Sequence, residues 1–329
     1  MSFLNQKSTS EKAFAQAYGQ LNLEQKKAVD SIEGPVMVIA GPGTGKTQIL
    51  TLRIANILLQ TDTAPNSILA LTFTESGAKT MRERLLTYIG PVAYQVPIFT
   101  FHGFASMLIR EYPEAYEHIV GGRPISDVER IRIIEDCLQD GSSLLRPTGN
   151  PTYYVTPVGR MISELKKEYV SPDALSNIIA SQENALQGIE QVHTKGAHKG
   201  KVRGEYTKAE KNIEKNRALL HVYRLYESSL RTENVFDFED MVSHTVTALQ
   251  NNEDMLRDLQ ERYQYLLADE HQDVNGSQNK IIELLASYHD RPNVFVVGDE
   301  KQAIYRFQGA SLDNFLYFKD RFTDTTIIV

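Results

Sequence analysis

The sequence predicts an α/β fold in which a parallel sheet carries a phosphate-binding loop and is interrupted by an all-helical insertion. Three observations predict it. Short β-branched runs alternate with helical periodicity near both ends of the chain. A glycine-rich turn, AGPGTGKT, falls at one strand-to-helix junction. Between about residues 111 and 230 the strand pattern gives way to helices. With strands and helices alternating, the sheet is expected to be parallel and covered on both faces.

Taken in order, the elements justify this reading. The N-terminus MSFLNQKSTSEKAF has no apolar signal core, and no stretch approaches the roughly 20 apolar residues of a membrane span. A cytoplasmic protein with no membrane partner is expected. Val36 to Ala40 is apolar and uncharged, as suits a strand buried on both faces, and from Lys46 onward Ile49, Leu50, Ile54, Ile57 and Leu58 recur at helical spacing. The turn between them, Gly41, Pro42, Gly43, Thr44 and Gly45, is read as the nucleotide-binding loop. Its glycines let successive N–H groups face an anion at a helix N-terminus. Lys46 then reaches the β and γ phosphates, and the Thr47 hydroxyl binds Mg²⁺. Ala40 stands where the strict pattern has glycine. The loop by itself leaves kinase, GTPase, transporter ATPase and motor open.

Further strands are expected at ILALTF (68 to 73), IFTF (98 to 101), YQYLLAD (263 to 269), VFVVG (294 to 298) and TIIV (326 to 329), most followed by helical periodicity. SDVERIRIIEDCLQD, VGRMISELKKEY, PDALSNIIASQ and the long AEKNIEKNRALLHVYRLYESSLRT read as helices with no convincing strand among them. The expected organisation is therefore an α/β domain at 1–110, a helical insertion at 111–230 and the rest of the α/β domain at 231–329.

Composition bounds the function. The 329 residues are 41% hydrophobic and 23% charged, which is ordinary for a globular chain and excludes a disordered one. One cysteine, Cys137, excludes an internal disulfide and a cysteine metal cluster, and its helical setting predicts a buried structural thiol. The net charge of −7 argues against a basic coat for nucleic acid. The segment 193 to 217 nevertheless gathers Lys195, Lys199, Lys201, Arg203, Lys208, Lys211, Lys215 and Arg217, which reads either as a phosphate-backbone patch or as a solvated face.

A loop that hydrolyses its nucleotide needs an acid on the metal and a group on the attacking water, at the end of a strand beside the loop. YLLADEHQD supplies both: Asp269 for Mg²⁺ and Glu270 for the water. In VFVVGDEKQAIYRFQGAS, Gly298 and Asp299 close another strand, Gln302 can sense the γ phosphate, and Tyr305 and Phe307 flank Arg306. Phe73, Phe101, His102 and Phe104 follow other strands. Aromatics along one rim of a parallel sheet suggest a shelf on which the bases of a single strand stack.

With these motifs in hand, the chain resembles the N-terminal part of superfamily 1 DNA helicases of the UvrD/Rep/PcrA type. LNLEQKKAV resembles the Q motif, AGPGTGKT motif I, ALTFTESGAKTM motif Ia, TFHGF motif Ib, DFEDM the short acidic motif before motif II, ADEHQD motif II and GDEKQAIYRFQGA motif III. The resemblance implies a RecA-like P-loop NTPase domain (1A) interrupted by a 1B subdomain, with ATP and Mg²⁺ as cofactors. It implies 3′ to 5′ movement on single-stranded DNA and separation of ss/ds junctions. It assigns adenine to Gln25, the ATPase chemistry to Lys46, Thr47, Asp269, Glu270 and Gln302, and the strand to Phe73, Thr100, His102, Tyr305 and Phe307. Helicase–nuclease subunits of the AddA or RecB kind share the motifs, and a binding module without turnover is the alternative from another class.

The chain also departs from the family pattern. Glu75 and Ser76 replace a basic DNA contact, Gln308 replaces an arginine, and His271 stands where an aromatic is common. His271 is read as a packing variant, with a pH-dependent role as the alternative. TIIV resembles the strand leading to motif IV. A second RecA-like domain with its arginines is therefore expected to follow in a longer protein, leaving this chain alone weakly active or inactive, with little or no unwinding.

Overall fold

The computed structural model describes residues 2–117, 119–141, 143–145, 149–150, 152–192, 201–299 and 310–329. The chain forms two compact units, one from residues 1–116 and 244–329, the other from residues 117–243.

The first unit begins with α1 (Ser2–Gly19), α2 (Leu23–Asp30), β1 (Val36–Ile39), α3 (Lys46–Gln60), β2 (Ile68–Thr72), α4 (Glu75–Ile89), β3 (Ile98–Thr100) and α5 (Phe101–Glu111). The second unit holds β4 (Arg123–Pro124), α6 (Asp127–Gln139), α7 (Val155–Lys167), α8 (Pro172–Gln187), α9 (Gly204–Glu233) and β5 (Val235–Phe236). α10 (Phe238–Asn251) carries the chain back to α11 (Glu253–Arg262), β6 (Tyr265–Ala268), α12 (Gly276–Ala286), β7 (Val294–Gly298), α13 (Ala310–Arg321) and β8 (Thr326–Ile328).

In the first unit six strands pair in parallel in the order β3-β2-β6-β7-β1-β8. Side chains alternate between the two faces of each strand. Val36, Val38, Ile68, Ala70, Leu267, Phe295 and Val297 join one core with α2, α3 and α4. The alternate residues Met37, Leu69, Leu266, Val294 and Val296 are buried as well. Both faces are therefore covered, which explains why these strands read as unbroken apolar runs. α1 was not expected from its polar sequence. It is fixed by tertiary contact: Phe14, Ala17 and Tyr18 pack on the core, with the Phe14 ring edge-on to Tyr88 at 6.5 Å.

The second unit is built mainly from helices, with Ile133, Ile134, Leu138, Ile162, Val222 and Tyr226 in its core and Cys137 buried among them. Ser126 and Asn275 close capping boxes with Glu129 and Gln278 at the starts of α6 and α12, so each helix begins where its sequence signals a start. A two-strand pairing was missed inside the insertion: Arg123 and Pro124 pair in parallel with Val235 and Phe236. Two residues leave no period to read, and their partner lies far along the chain. This pairing extends the second unit beyond the expected residue 230.

DFEDM gains a structural meaning here. Asp237 and Asp240 cap each other, Asp237 N–H donating to Asp240 Oδ2 at 2.9 Å and Asp240 N–H to Asp237 Oδ1 at 3.0 Å. Their other oxygens, with Glu227 Oε1, each lie 2.7 Å from the buried Lys166 Nζ. Burial opposes this ammonium, but the three carboxylates outweigh it and raise Lys166 well above the usual lysine value.

Candidate nucleotide site at the strand ends

The turn after β1 is shaped by two glycines. Gly43 and Gly45 lie in the left-handed region at φ 76° and 83°, where a side chain would be strained. Gly41, expected to need the same freedom, is not among the residues of positive φ. Thr44 closes the turn, its hydroxyl donating to Gly41 O at 2.7 Å. Gly45 occupies the N-cap of α3 and offers no side chain to the first-turn N–H groups, which leaves that helix end able to hold an anion.

Lys46 opens α3 and is buried, with its ammonium 3.2 Å from Glu270 Oε2 and 3.9 Å from Asp299 Oδ2. The Thr47 hydroxyl donates to Asp269 Oδ2 at 3.1 Å. The structure thus brings Lys46, Thr47, Asp269 and Glu270 together. The strand arrangement differs from expectation in one respect. The neighbour of β1 is β7, which ends in Gly298 and Asp299, and β6 with Asp269 lies one strand further on. Asp299 is fully buried and was not singled out as a site residue from sequence. Its position directly after an apolar strand, like that of Asp269, was the available signal.

Burial, and then the neighbouring Glu270, push the Asp269 carboxyl up to about 6. Asp269 Oδ1 also accepts the N–H of Glu270 at 2.9 Å. Glu270 itself has φ 49° and ψ 45°, a left-handed backbone that costs a non-glycine residue about 1–3 kcal/mol and clusters at functional sites. Among the described residues no group of three or more metal-binding side chains occurs. The hydroxyl of Thr47 and the carboxylate of Asp269 form a hard oxygen pair, the donor set that fits Mg²⁺, an ion that keeps waters and phosphate oxygens in its remaining positions.

Next to the loop lies a cavity of about 370 Å³, with Asn22, Gln25, Ala40, Thr44, Ile49 and Ile328 among its lining residues. Gln25 stands at its wall with both ends of its amide engaged. Its oxygen accepts Asn22 N–H at 2.9 Å, and its nitrogen donates to Thr44 O at 3.0 Å. That bond ties α2 to the phosphate loop.

The rim residues divide. Phe73 is 47% exposed after β2. Phe101 and Phe104, expected on the same shelf, are instead core residues, 1% and 0% exposed, and the Phe104 ring meets Tyr263 edge-on at 6.0 Å. Both lie within α5, where helical rotation turns them inward. Thr100 is 8% exposed and caps α5, its hydroxyl accepting Gly103 N–H at 2.9 Å and donating to Glu75 Oε1 at 2.8 Å. His102 is half-buried. His271 is wholly buried and edge-on to Phe318 at 5.7 Å; burial lowers its imidazole to about 4, so it packs as a neutral ring. Gln302, Tyr305, Phe307 and Gln308 lie outside the described residues, as do Lys195 and Lys199 of the basic segment. Within the described part of that segment Arg203 pairs with Glu190 and Arg217 with Glu183, while Lys201, Lys211 and Lys215 are exposed.

A glycine-turned loop that delivers a lysine to carboxylates at the ends of parallel strands defines an α/β protein of the P-loop class. The sequence profile of the UvrD/REP helicase N-terminal domain matches residues 21–323, and the chain belongs to that family, with its RecA-like fold. It is 33% identical over 310 residues to a probable DNA helicase II homolog of Rickettsia conorii, covering 94% of this chain and 41% of that protein. It is 29% identical over 309 residues to the ATP-dependent DNA helicase PcrA of Bacillus subtilis, covering 94% of this chain and 36% of that one. The chain thus spans about two fifths of the length of the curated relatives it matches. Among the described residues no helix is long and apolar enough to cross a membrane.

Proposed function

We propose that this chain is an ATP-binding and ATP-hydrolysing motor domain whose turnover is stimulated by single-stranded DNA. The observation that carries this reading is the convergence of Lys46, Thr47, Asp269, Glu270 and Asp299 on one strand-end edge, beside a cavity lined by Gln25. Lys46 leaves its carboxylate partners for the β and γ phosphates, and the first-turn N–H groups of α3 hold the same anion. Glu270, released from that lysine, takes the proton of the attacking water. Thr47 and Asp269 would hold Mg²⁺, which supplies charge neutralisation across the phosphate oxygens. Gln302 senses the γ phosphate. Gln25 faces the adenine, and the cavity it lines excludes water from the base.

The half-exposed Phe73, with His102, Tyr305 and Phe307, contacts the strand, and Thr100, its hydroxyl bonded to Gly103 and Glu75, fixes the start of α5 that carries His102. Stacking tolerates any base, so the strand is gripped without being read. Movement from 3′ to 5′ and opening of ss/ds junctions rest on the family resemblance. In the full-length gene product, Glu270→Gln should abolish DNA-stimulated hydrolysis while ATP binding persists; unchanged turnover removes Glu270 as the base. Strand displacement on 3′-tailed but not 5′-tailed duplexes tests the polarity.

A further inference from the structure

The turn after β6 holds a buried amide with three partners. Gln272 is 3% exposed. Its nitrogen donates to Glu270 Oε2 at 2.7 Å and to Asp273 Oδ2 at 3.3 Å. Its oxygen accepts the backbone N–H of Asp299 at 2.9 Å. One side chain therefore joins the carboxylate that follows β6 to the first residue after β7.

The two donors to Glu270 Oε2 differ in what they can do. Lys46 is a flexible ammonium 3.2 Å away, the group that a phosphate would recruit. Gln272 is neutral, buried and fixed at its far end by a backbone N–H, so it has no reason to follow an anion. The Glu270 side chain is 36% exposed and rises from a left-handed residue, so it needs a partner to keep one orientation once the lysine has gone. Among the described residues Gln272 is the partner that stays. A glutamate two residues earlier and a strand end across the sheet are both within reach of a single amide only because β6 and β7 pair in register, Ala268 against Val296.

We infer that Gln272 is a positioning residue. It holds Oε2 of Glu270 so that Oε1 is presented to the attacking water, and it registers that carboxylate against the backbone leaving β7. The inference rests on the proposed reading of Glu270 as the base. It adds a mechanical link: the chain after β7 runs directly into residues 300–309, which include Gln302, Tyr305 and Phe307. A shift of the Asp299 backbone changes the aim of Glu270 through one hydrogen-bonded amide.

The test is a double-mutant cycle on DNA-stimulated ATP hydrolysis by the full-length gene product, using Gln272→Met, Glu270→Ala and the pair. A misplaced catalytic group costs up to about 10²-fold. Gln272→Met is expected to lower kcat by roughly that factor while the KM for ATP moves less than about twofold. In the Glu270→Ala background, read as the residual single-turnover rate, the same change should cost almost nothing further, because its effect passes through Glu270. Gln272→Leu removes the same bonds without adding a charge; it should match Gln272→Met and serves if that variant does not fold. Wild-type kcat in both Gln272 variants, or a full additional loss on top of Glu270→Ala, overturns the inference while leaving Glu270 as the base. If Glu270→Ala itself leaves turnover intact, the functional reading fails instead.

Discussion

Lys166→Met should unfold the helical unit well before the rest of the protein. The substitution keeps an unbranched apolar stem, one atom shorter, and removes the charge. Lys166 Nζ sits 2.7 Å from Asp237 Oδ2, Asp240 Oδ1 and Glu227 Oε1, and is 3% exposed. The Tyr226 hydroxyl adds a bond to Asp237 Oδ2 at 3.1 Å. Without the ammonium, carboxylates that shared one cation face one another out of water. Breaking a buried ion pair by removing one partner costs about 3–5 kcal/mol. For residues 117–243 unfolding as their own cooperative unit, at about 2.1 cal/mol/K per residue, the Tm falls by roughly 11 to 19 °C. Scanning calorimetry reads the shift, and hydrogen exchange should localise it to residues 117–243. The loss also carries a pH signature. In the variant the stranded carboxyls have folded-state values above their unfolded ones, so the folded state binds extra protons and regains stability as pH falls. A Tm within about 3 °C of wild type, where the expected cost is several kcal/mol, would refute the argument that this lysine neutralises the cage.

Three further outcomes are expected. His271 is lowered by burial to about 4 against an ordinary 6.5, so its contribution is complete above pH 6.5 and is lost as pH falls toward 4. Acid titration of His271→Phe, followed by circular dichroism, should show this acid limb flattened by about 3 kcal/mol relative to wild type. Phe73→Ala should weaken single-stranded DNA binding by about 1–3 kcal/mol in fluorescence anisotropy with little change in Tm, since the ring is half-exposed. A Cβ on Gly77 would lie 2.7 Å from Thr72 Oγ1, so Gly77→Ala should cost about 1–3 kcal/mol in denaturant melts despite alanine's helix preference, with Thr72→Ala giving part of it back.

Some of the site was legible because its signals are local. Strand, glycine turn and helix follow one another within AGPGTGKT and its flanks, so Lys46 and Thr47 could be named from a dozen residues. The same holds for Asp269 and Glu270 at the end of YLLADE. Phe101 and Phe104 misled because aromatics after a strand look alike whether the following helix turns them out or in; the first turn of α5 buries both. His271, read from sequence as a packing variant, has Phe318 edge-on beside it, a partner that no local stretch of sequence names.

The sequence by itself determined most of the strands and helices, because apolar period and turn chemistry act between near neighbours; α1 and the β4–β5 pairing are the exceptions. Only the tertiary structure decided that β7, and not β6, lies against β1, which brings Asp299 to Lys46. It also decided that Gln272 joins two strand ends and that Lys166 is caged by Asp237, Asp240 and Glu227. Apart from Glu270 and Gln272, these partners lie tens to hundreds of residues apart in the chain. Their contacts depend on strand order and helix packing, free energies summed over the whole core, which no local stretch of sequence contains.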